Sequence, residues 1–334
     1  MKTHPQSAPS GRASGGLSDV TVQVLVMCAL LFFMIAATGW WNPQFLSAYS
    51  MRGVLRDTAI WSLFALGQAV VIIGGGIDLS VGSLIAFIGV VSLTLLGPEY
   101  GFSVVSVLLI SIVIAAAIGI VHGALICGLN LQPFLVTLCS LLILRGLARV
   151  ITHDRTVSLD ASTHGLLREL GAGSLGGIPI PVFLLIAILA PLGFFMHCTV
   201  YGRYLYALGS NVDAARYSGV RVNALRILSY CLCSVFAAMA ALLEAGDVAS
   251  VPPSNAGLAY EMYGITGAVL GGCALRGGQG SLLGVVIGMA ILRLIKSVVI
   301  FFGVSTYLTF AVTGVVLLGA VIVDALIRQK SQRS

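Results

Sequence analysis

Gly74-Gly75-Gly76-Ile77-Asp78-Leu79-Ser80-Val81-Gly82-Ser83 separates two long apolar runs with an acid, two serines and four glycines. Each glycine costs a helix about 1 kcal/mol relative to alanine, so three in succession predict a break or turn of the backbone. Broken backbone at membrane depth survives only where protein buries it or a watery cavity meets it. Asp78 and Ser80, placed before the apolar and small-residue run Val81 to Gly97, also have the form of a helix N-cap with an acid at the positive helix end. Two readings stay open at this point. One is a tight cytoplasmic turn capped by Asp78 and Ser80; the other is a direct part in gating or substrate passage, the default for an acid near a span.

Composition decides the class. The chain of 334 residues is 58% hydrophobic and 9% charged, with a mean hydropathy of +1.04, far from the roughly 25% charged content of a soluble domain. An all-α, polytopic transmembrane helix bundle is expected, with Gly-rich broken-helix turns and one membrane domain over 20–327. The net charge of +6 rests on basic residues in short loops beside spans, with three lysines in all. That pattern follows the positive-inside bias and argues against nucleic acid. Seven cysteines lie in or at the ends of apolar runs, with no CxxC pair, and read as small buried hydrophobes rather than metal ligands or disulfides.

In chain order, residues 1–19 are rich in Ser, Gly and Pro and are expected to form a disordered cytoplasmic tail. Ten spans then follow: Val20–Gly39, Thr58–Gly74, Val81–Gly97, Phe102–Leu129, Phe134–Ile151, Pro179–Cys198, Ala224–Gly246, Tyr260–Leu275, Ser281–Ile300 and Val304–Leu326. The first run ends in Ala36-Ala37, as a cleaved signal does, but it is long for one, so an uncleaved helix is favoured. A short amphipathic link with Arg52, Arg56 and Asp57 is expected before the second span, and the small residues Ala115, Ala116, Ala117, Gly119 and Gly123 suit the fourth to close packing. Arg145 and Arg149, four apart near the end of the fifth span, are expected to snorkel to the headgroups. Thr152 to Ile178 reads as a solvated external loop in which His153, Asp154, Asp160 and His164 lack metal-ligand spacing.

Thr199 to Asn223 carries Arg203, Arg216 and Arg221 and is placed inside, together with the tail 328–334. Glu244 is expected in the last turn of its span and Asp247 in the acidic external loop beyond it. Arg293 and Lys296 fall in the outer half of the ninth span, where they snorkel, line an aqueous pathway, or mark a misplaced boundary. Gly82-Ser83-Leu84 and Gly280-Ser281-Leu282 hint at an internal repeat whose helices run the same way in this topology.

No Gly-Lys pair occurs, so there is no phosphate loop for ATP, and HExxH and GxSxG are likewise missing. A transport protein is therefore expected rather than an enzyme. Four segments then resemble, in order, the ribose-type sugar permease subunits of bacterial ATP-binding-cassette importers: Gly75 to Ser83, Gln132 to Leu138, Gly209 to Val220, and Gly271 to Gly280. The resemblance runs from about the second span to the last. It implies a pair of permease chains, homo- or heterodimeric, in the bacterial inner membrane and surrounded by membrane lipid. It also implies a separate ATPase subunit that uses the ATP and a periplasmic solute-binding protein; no cofactor or metal is expected on this chain.

On the same resemblance, Gly209, Asn211, Ala214, Ala215, Arg216, Ser218 and Gly219 form the loop that meets the ATPase. Asp213 to Ser218 can form a short helix capped by Asn211, with Arg216 projecting from a small-residue surface made by Ala214 and Ala215. Gly75, Gly76, Asp78, Ser80, Gln132, Phe134, Thr137, Glu261 and Tyr263 are the translocation and gating candidates. Members commonly carry Glu-Leu-Asp-Ala-Ile where this chain has Glu261-Met262-Tyr263-Gly264-Ile265. That departure, with Arg293 and Lys296, leaves a sugar, a charged or modified sugar, a polyol or another small polar solute open. The alternative class is a stand-alone secondary transporter or channel, which would keep ionisable groups deep within its spans. The sequence offers few such positions.

Overall fold

The computed structural model describes residues 19–159 and 165–303 and, beyond these, a few positions between 308 and 319. The expected tails 1–19 and 328–334, Asp160 and His164, and nearly all of the last span fall outside the described residues, except for Asp19. The described chain is almost wholly helical: α1 (Asp19–Trp41), α2 (Ala48–Ile73), α3 (Val81–Leu96), α4 (Val104–Gly128), α5 (Pro133–Thr152), α6 (Gly165–Ala172), α7 (Ile180–Cys198), α8 (Val200–Ser210), α9 (Val212–Tyr217), α10 (Val222–Val248), α11 (Tyr260–Leu270) and α12 (Leu282–Phe301). Two short antiparallel ribbons complete it. β1 (Val157–Ser158) pairs with β4 (Ser250–Val251), and β2 (Ser174–Leu175) with β3 (Ile178–Pro179). Among the described residues, seven helices are long and apolar enough to cross a membrane, and α3 is a shorter apolar helix.

The core lies between α2 and α10. Every residue of α2 from Thr58 to Ile73 is buried, which is the pattern of a helix surrounded by other helices. α10 packs against α2, α3, α4 and α6. Glycines set the α4–α10 distance, since a Cβ on Gly119 would lie 2.5 Å from Tyr230 O and one on Gly123 would lie 2.5 Å from Ile227 Cα. The expected small-residue face is thus real at Ala115, Gly119 and Gly123, whereas Ala117 points away from the core.

Several sequence boundaries shift, for local reasons. The link before the second span is itself helical, because Ser47 caps α2 by accepting from Ser50 N–H at 3.3 Å and no proline or run of glycines follows before Gly74. Arg56 and Asp57 are accommodated inside that helix by Asp247 of α10, 3.1 Å from Arg56 Nε, and by Arg293 of α12, which pairs with Asp57. Arg293 is therefore turned inward onto Asp57 rather than snorkelling; its guanidinium also lies 4.2 Å from the centre of the Trp61 ring. Asp247 belongs to α10 rather than to the loop beyond it. The expected solvated loop contains α6, whose Leu167 is buried and whose Gly171 meets the backbone of α10 at Gly246. Arg145 also turns inward: its Nη1 donates to Pro253 O at 2.8 Å and Ala256 O at 2.6 Å, because carbonyls of non-helical backbone lie within its reach.

The eighth span is the largest correction. α11 has 11 residues, about 16 Å of helix against a hydrocarbon core of about 30 Å. The rest of that crossing is made by the non-helical segment 252–259, just as 74–80 precedes α3. These two interrupted crossings are inverted with respect to each other. Their helix starts meet where Gly82 and Gly257 touch backbone to backbone. α3 then leads away past Val251, which abuts Gly89, while α11 leads the other way toward the turn at Gly277, which abuts Gly75. The Gly-Ser-Leu similarity does not mark this relation, since Gly280-Ser281-Leu282 starts α12 instead, with Ser281 capping Gly284 N–H at 3.2 Å.

Sidedness follows from the charge pattern and is open to direct measurement. In a variant with all seven cysteines replaced, a membrane-impermeant thiol reagent added outside is expected to label Ser158→Cys and to spare Asn211→Cys. Labelling of both positions would exclude this topology.

Candidate functional site

The break after α2 is held from all sides. Gly75 takes φ of +81°, a left-handed conformation that only glycine adopts freely, and a Cβ on Gly76 would lie 2.5 Å from the Tyr230 hydroxyl. Asp78 is fully buried. Its Oδ1 accepts from Ser80 N–H at 2.8 Å and Ser80 O–H at 2.6 Å, and its carbonyl accepts from Gln68 Nε2 at 3.0 Å. Tyr230 O–H donates to Ile77 O at 3.4 Å, while Thr137 Oγ1 donates to Pro133 O at 2.9 Å and lies 3.5 Å from Ile77 O. Asp78 thus acts mainly within its own turn. Ser80 makes no side-chain cap on α3, and the Glu261 carboxylate, from the first turn of α11, lies against Gly82, where a Cβ would collide with it.

Asp78 Oδ2 faces His122 Nδ1 at 4.0 Å, both side chains being buried, and neither atom has a hydrogen-bond partner among the described residues. His122 Nε2 is fixed by Ser140 Oγ at 2.7 Å. A buried carboxylate is strongly destabilised unless a cation or proton compensates it, and His122 is the ionisable side chain that faces this one. The bundle interior is therefore not free of ionisable groups, as Asp57 and Arg293 also attest.

The sequence candidates separate into groups. Gly75, Gly76, Asp78, Ser80 and Thr137 come together at the break, whereas Gln132 and Phe134 are exposed. Glu261 sits at the meeting of the two half-helices, and Tyr263 packs 5.0 Å from Trp61 in an aromatic cluster with Tyr260 and Phe64. Gln68, His122, Ser140 and Tyr230 were missed. His122 alone carried a signal, as an isolated histidine in an apolar run.

Both arginines of α5 hold the approach to α11. Arg145 grips the 253–256 carbonyls directly, and Arg149 Nη2 donates to Asp154 Oδ2 at 2.9 Å, whose Oδ1 accepts from Ser254 O–H at 2.5 Å. The Ser254 hydroxyl and the Arg149 guanidinium hold the Asp154 carboxyl below its usual range. A depressed acid contributes fully above its unfolded value, near 3.9, and loses that contribution only as pH falls through the folded value, so this tie is constant above about pH 5.

α8 and α9 share Asn211. Its N–H donates to Ala207 O at 3.0 Å to end α8, and its Oδ1 accepts from Ala214 N–H at 3.0 Å to start α9. Gly219, at φ of +79°, lets the chain turn after α9. The expected capped helix is present, but the small-residue surface is not, because Ala215 faces inward at 4% exposure. The projecting groups are Arg216 and Tyr217, the latter 91% exposed. Burial pushes the Tyr206 phenol up to about 12, so at neutral pH it keeps the proton it donates to Gly280 O at 3.1 Å.

Residues 50–321 match the sequence family described as the permease component of branched-chain amino acid transport systems. The chain belongs to that permease family. It is similar to the ribose import permease protein of Escherichia coli K12, at 36% identity over 295 residues, covering 88% of this chain and 91% of the relative. It is similar also to the ribose import permease protein of Bacillus subtilis 168, at 33% over 301 residues, 90% and 91% covered, and to the galactose/methyl galactoside import permease protein of E. coli K12, at 31% over 322 residues, 92% and 93% covered. No solved structure matches the chain. The family assignment makes it a multi-pass membrane transport subunit rather than an enzyme.

Within this permease, Asp78→Asn keeps the hydrogen bonds to Ser80 and removes the charge facing His122. Solute uptake at matched membrane expression is expected to fall about tenfold or more, the factor that ~1.4 kcal/mol represents. Unchanged uptake would reduce Asp78 to a turn residue.

Proposed function

We propose that two such permease chains form the translocation pathway of an ATP-binding-cassette importer in the bacterial inner membrane. The pathway takes a sugar or related small polar solute from a periplasmic binding protein, and a separate ATPase subunit hydrolyses the ATP. The observation that carries this reading is α9. A short, capped helix presents Arg216 and Tyr217 on the side of the protein assigned to the cytoplasm by its basic residues, and its own chain has no phosphate loop. An exposed aromatic beside an arginine is the composition of a protein-docking hot spot.

Import of sugars is the substrate class supported by the relatives named for ribose and galactose. The family description, which speaks of branched-chain amino acids, motivates a second reading. The two differ chemically in the carried charge: a neutral sugar presents hydroxyls, whereas an amino acid presents a carboxylate and an ammonium group. Uptake into proteoliposomes containing permease, ATPase and the cognate binding protein decides between them. Pentose or hexose accumulation dependent on ATP is expected; accumulation of leucine with no sugar uptake would reverse the assignment.

Docking on α9 has its own test. Because Ala215 is buried, a bulky residue there would disturb the permease rather than the interface, and Tyr217→Ala is the informative change. Loss of a hot-spot aromatic costs about 2 kcal/mol or more, roughly a thirtyfold weaker association. Retention of the ATPase on the detergent-solubilised permease should fall accordingly, and undiminished co-purification would dissociate α9 from ATPase binding.

A further inference from the structure

Three backbone segments remote in sequence meet at Gly209. A Cβ on Gly277 would lie 2.9 Å from the Cα atoms of both Gly209 and Gly75, and a Cβ on Gly209 would overlap Ile73 O and Gly278 N. Gly278 N–H donates to Ile73 O at 2.9 Å and Tyr206 O–H to Gly280 O at 3.1 Å. A Cβ on Gly74 would lie 3.0 Å from Leu205 Cδ1. The end of α8 is thereby seated on two turns at once. One, at 74–76, leads through Asp78 into α3, and the other, at 271–280, closes α11.

We propose that Gly209 makes α8 a single lever that drives both inverted half-helices in the same step of import. The inference rests on the docking of an ATPase on α9 argued above, and it assigns the contact that passes the stroke onward. Long side chains absorb a small displacement by changing rotamer. Main chain seated on main chain has no rotamer to change, so a shift of α8 is delivered to both turns. α8 and α9 are joined through the single residue Asn211, which caps both, and that leaves no slack between the docking surface and the junction. Motion at one end can bias a two-state element at the other only through such a stiff contact.

Gly209→Ala is the direct test. Position 209 is helical, without the positive φ of Gly75 or Gly277, and alanine is the better helix former. The substitution therefore preserves α8 and changes only its seating. Gly209 packs on Ile73 and Gly278 rather than among the projecting groups of α9, so in proteoliposomes containing permease, ATPase and loaded binding protein the Gly209→Ala complex is expected to assemble. Solute import and the number of molecules imported per ATP should fall roughly tenfold, within the range of coupling substitutions. Gly53→Ala and Gly146→Ala, whose added Cβ atoms meet nothing within 4 Å, should import normally.

Wild-type import per ATP in Gly209→Ala would overturn the proposal. So would loss of the ATPase from that complex, which would place Gly209 in docking instead of transmission. If Gly209→Ala fails to accumulate, Tyr206→Phe gives the answer without added volume: it removes the bond to Gly280 O and should lower import per ATP in an assembled complex, and an unaltered ratio would again count against the lever. Failure of the wild-type complex to form or hydrolyse ATP would instead sink the reading of α9, a result distinct from any of these.

Discussion

A stretch of non-helical backbone, Gly74 to Ser80, runs into the interior of a helix bundle, and its peptide groups have to find partners there. In hydrocarbon each orphaned group costs several kcal/mol, of the order of ~4 kcal/mol or more for an amide taken from water without compensation. The bundle supplies Gln68 from α2, Ser80 at the start of α3, Thr137 from α5 and Tyr230 from α10, while α4 brings His122 to the carboxylate. Five helices are arranged around one interruption. The burial of α2 over its whole inner length and the glycine-set approach of α4 to α10 follow from that requirement, since each brings a donor within reach.

The second interruption is handled by a different chemistry. Segment 252–259 receives a guanidinium, from Arg145, that holds two carbonyls at once, and a strand pairing of β1 with β4 fixes its outer end. The two breaks meet at Gly82 and Gly257, where the Glu261 carboxylate also lies against the first turn of α3. Positive helix ends thus converge with acids on both sides of the contact, and the outer tie and the inner glycine junction lie at opposite ends of the same pair of elements.

Hydropathy made the spans legible because a run of about 20 apolar residues has few other destinies. It could not delimit α2, since Arg56 and Asp57 look like a polar link until Asp247 and Arg293 are brought beside them. The eighth span was legible as short, but Asp247 and Pro252-Pro253 made 252–259 look like external loop, which hid the non-helical segment that precedes α11. Local signals fared better: Asn211 before a short polar segment and Gly219 after it placed α9 correctly. The face that α9 buries was beyond reach, as a single turn and a half of helix carries too little periodicity to show that Ala215 points inward. Asp78 was legible as an oddity of composition, but its neighbour was not, for Asp78 and His122 are brought together only by the packing of α4.

The pairing of Asp57 with Arg293 spans 236 residues. During synthesis α2 emerges long before α12, so until Arg293 is made Asp57 has only its chain neighbour Arg56, 4.0 Å away. An aspartate at the centre of a lone helix costs about 2.5 to 3.5 kcal/mol on an insertion scale. Completion of α12 is what gives Asp57 a partner from outside its own helix and ties an early helix of the chain to a late one.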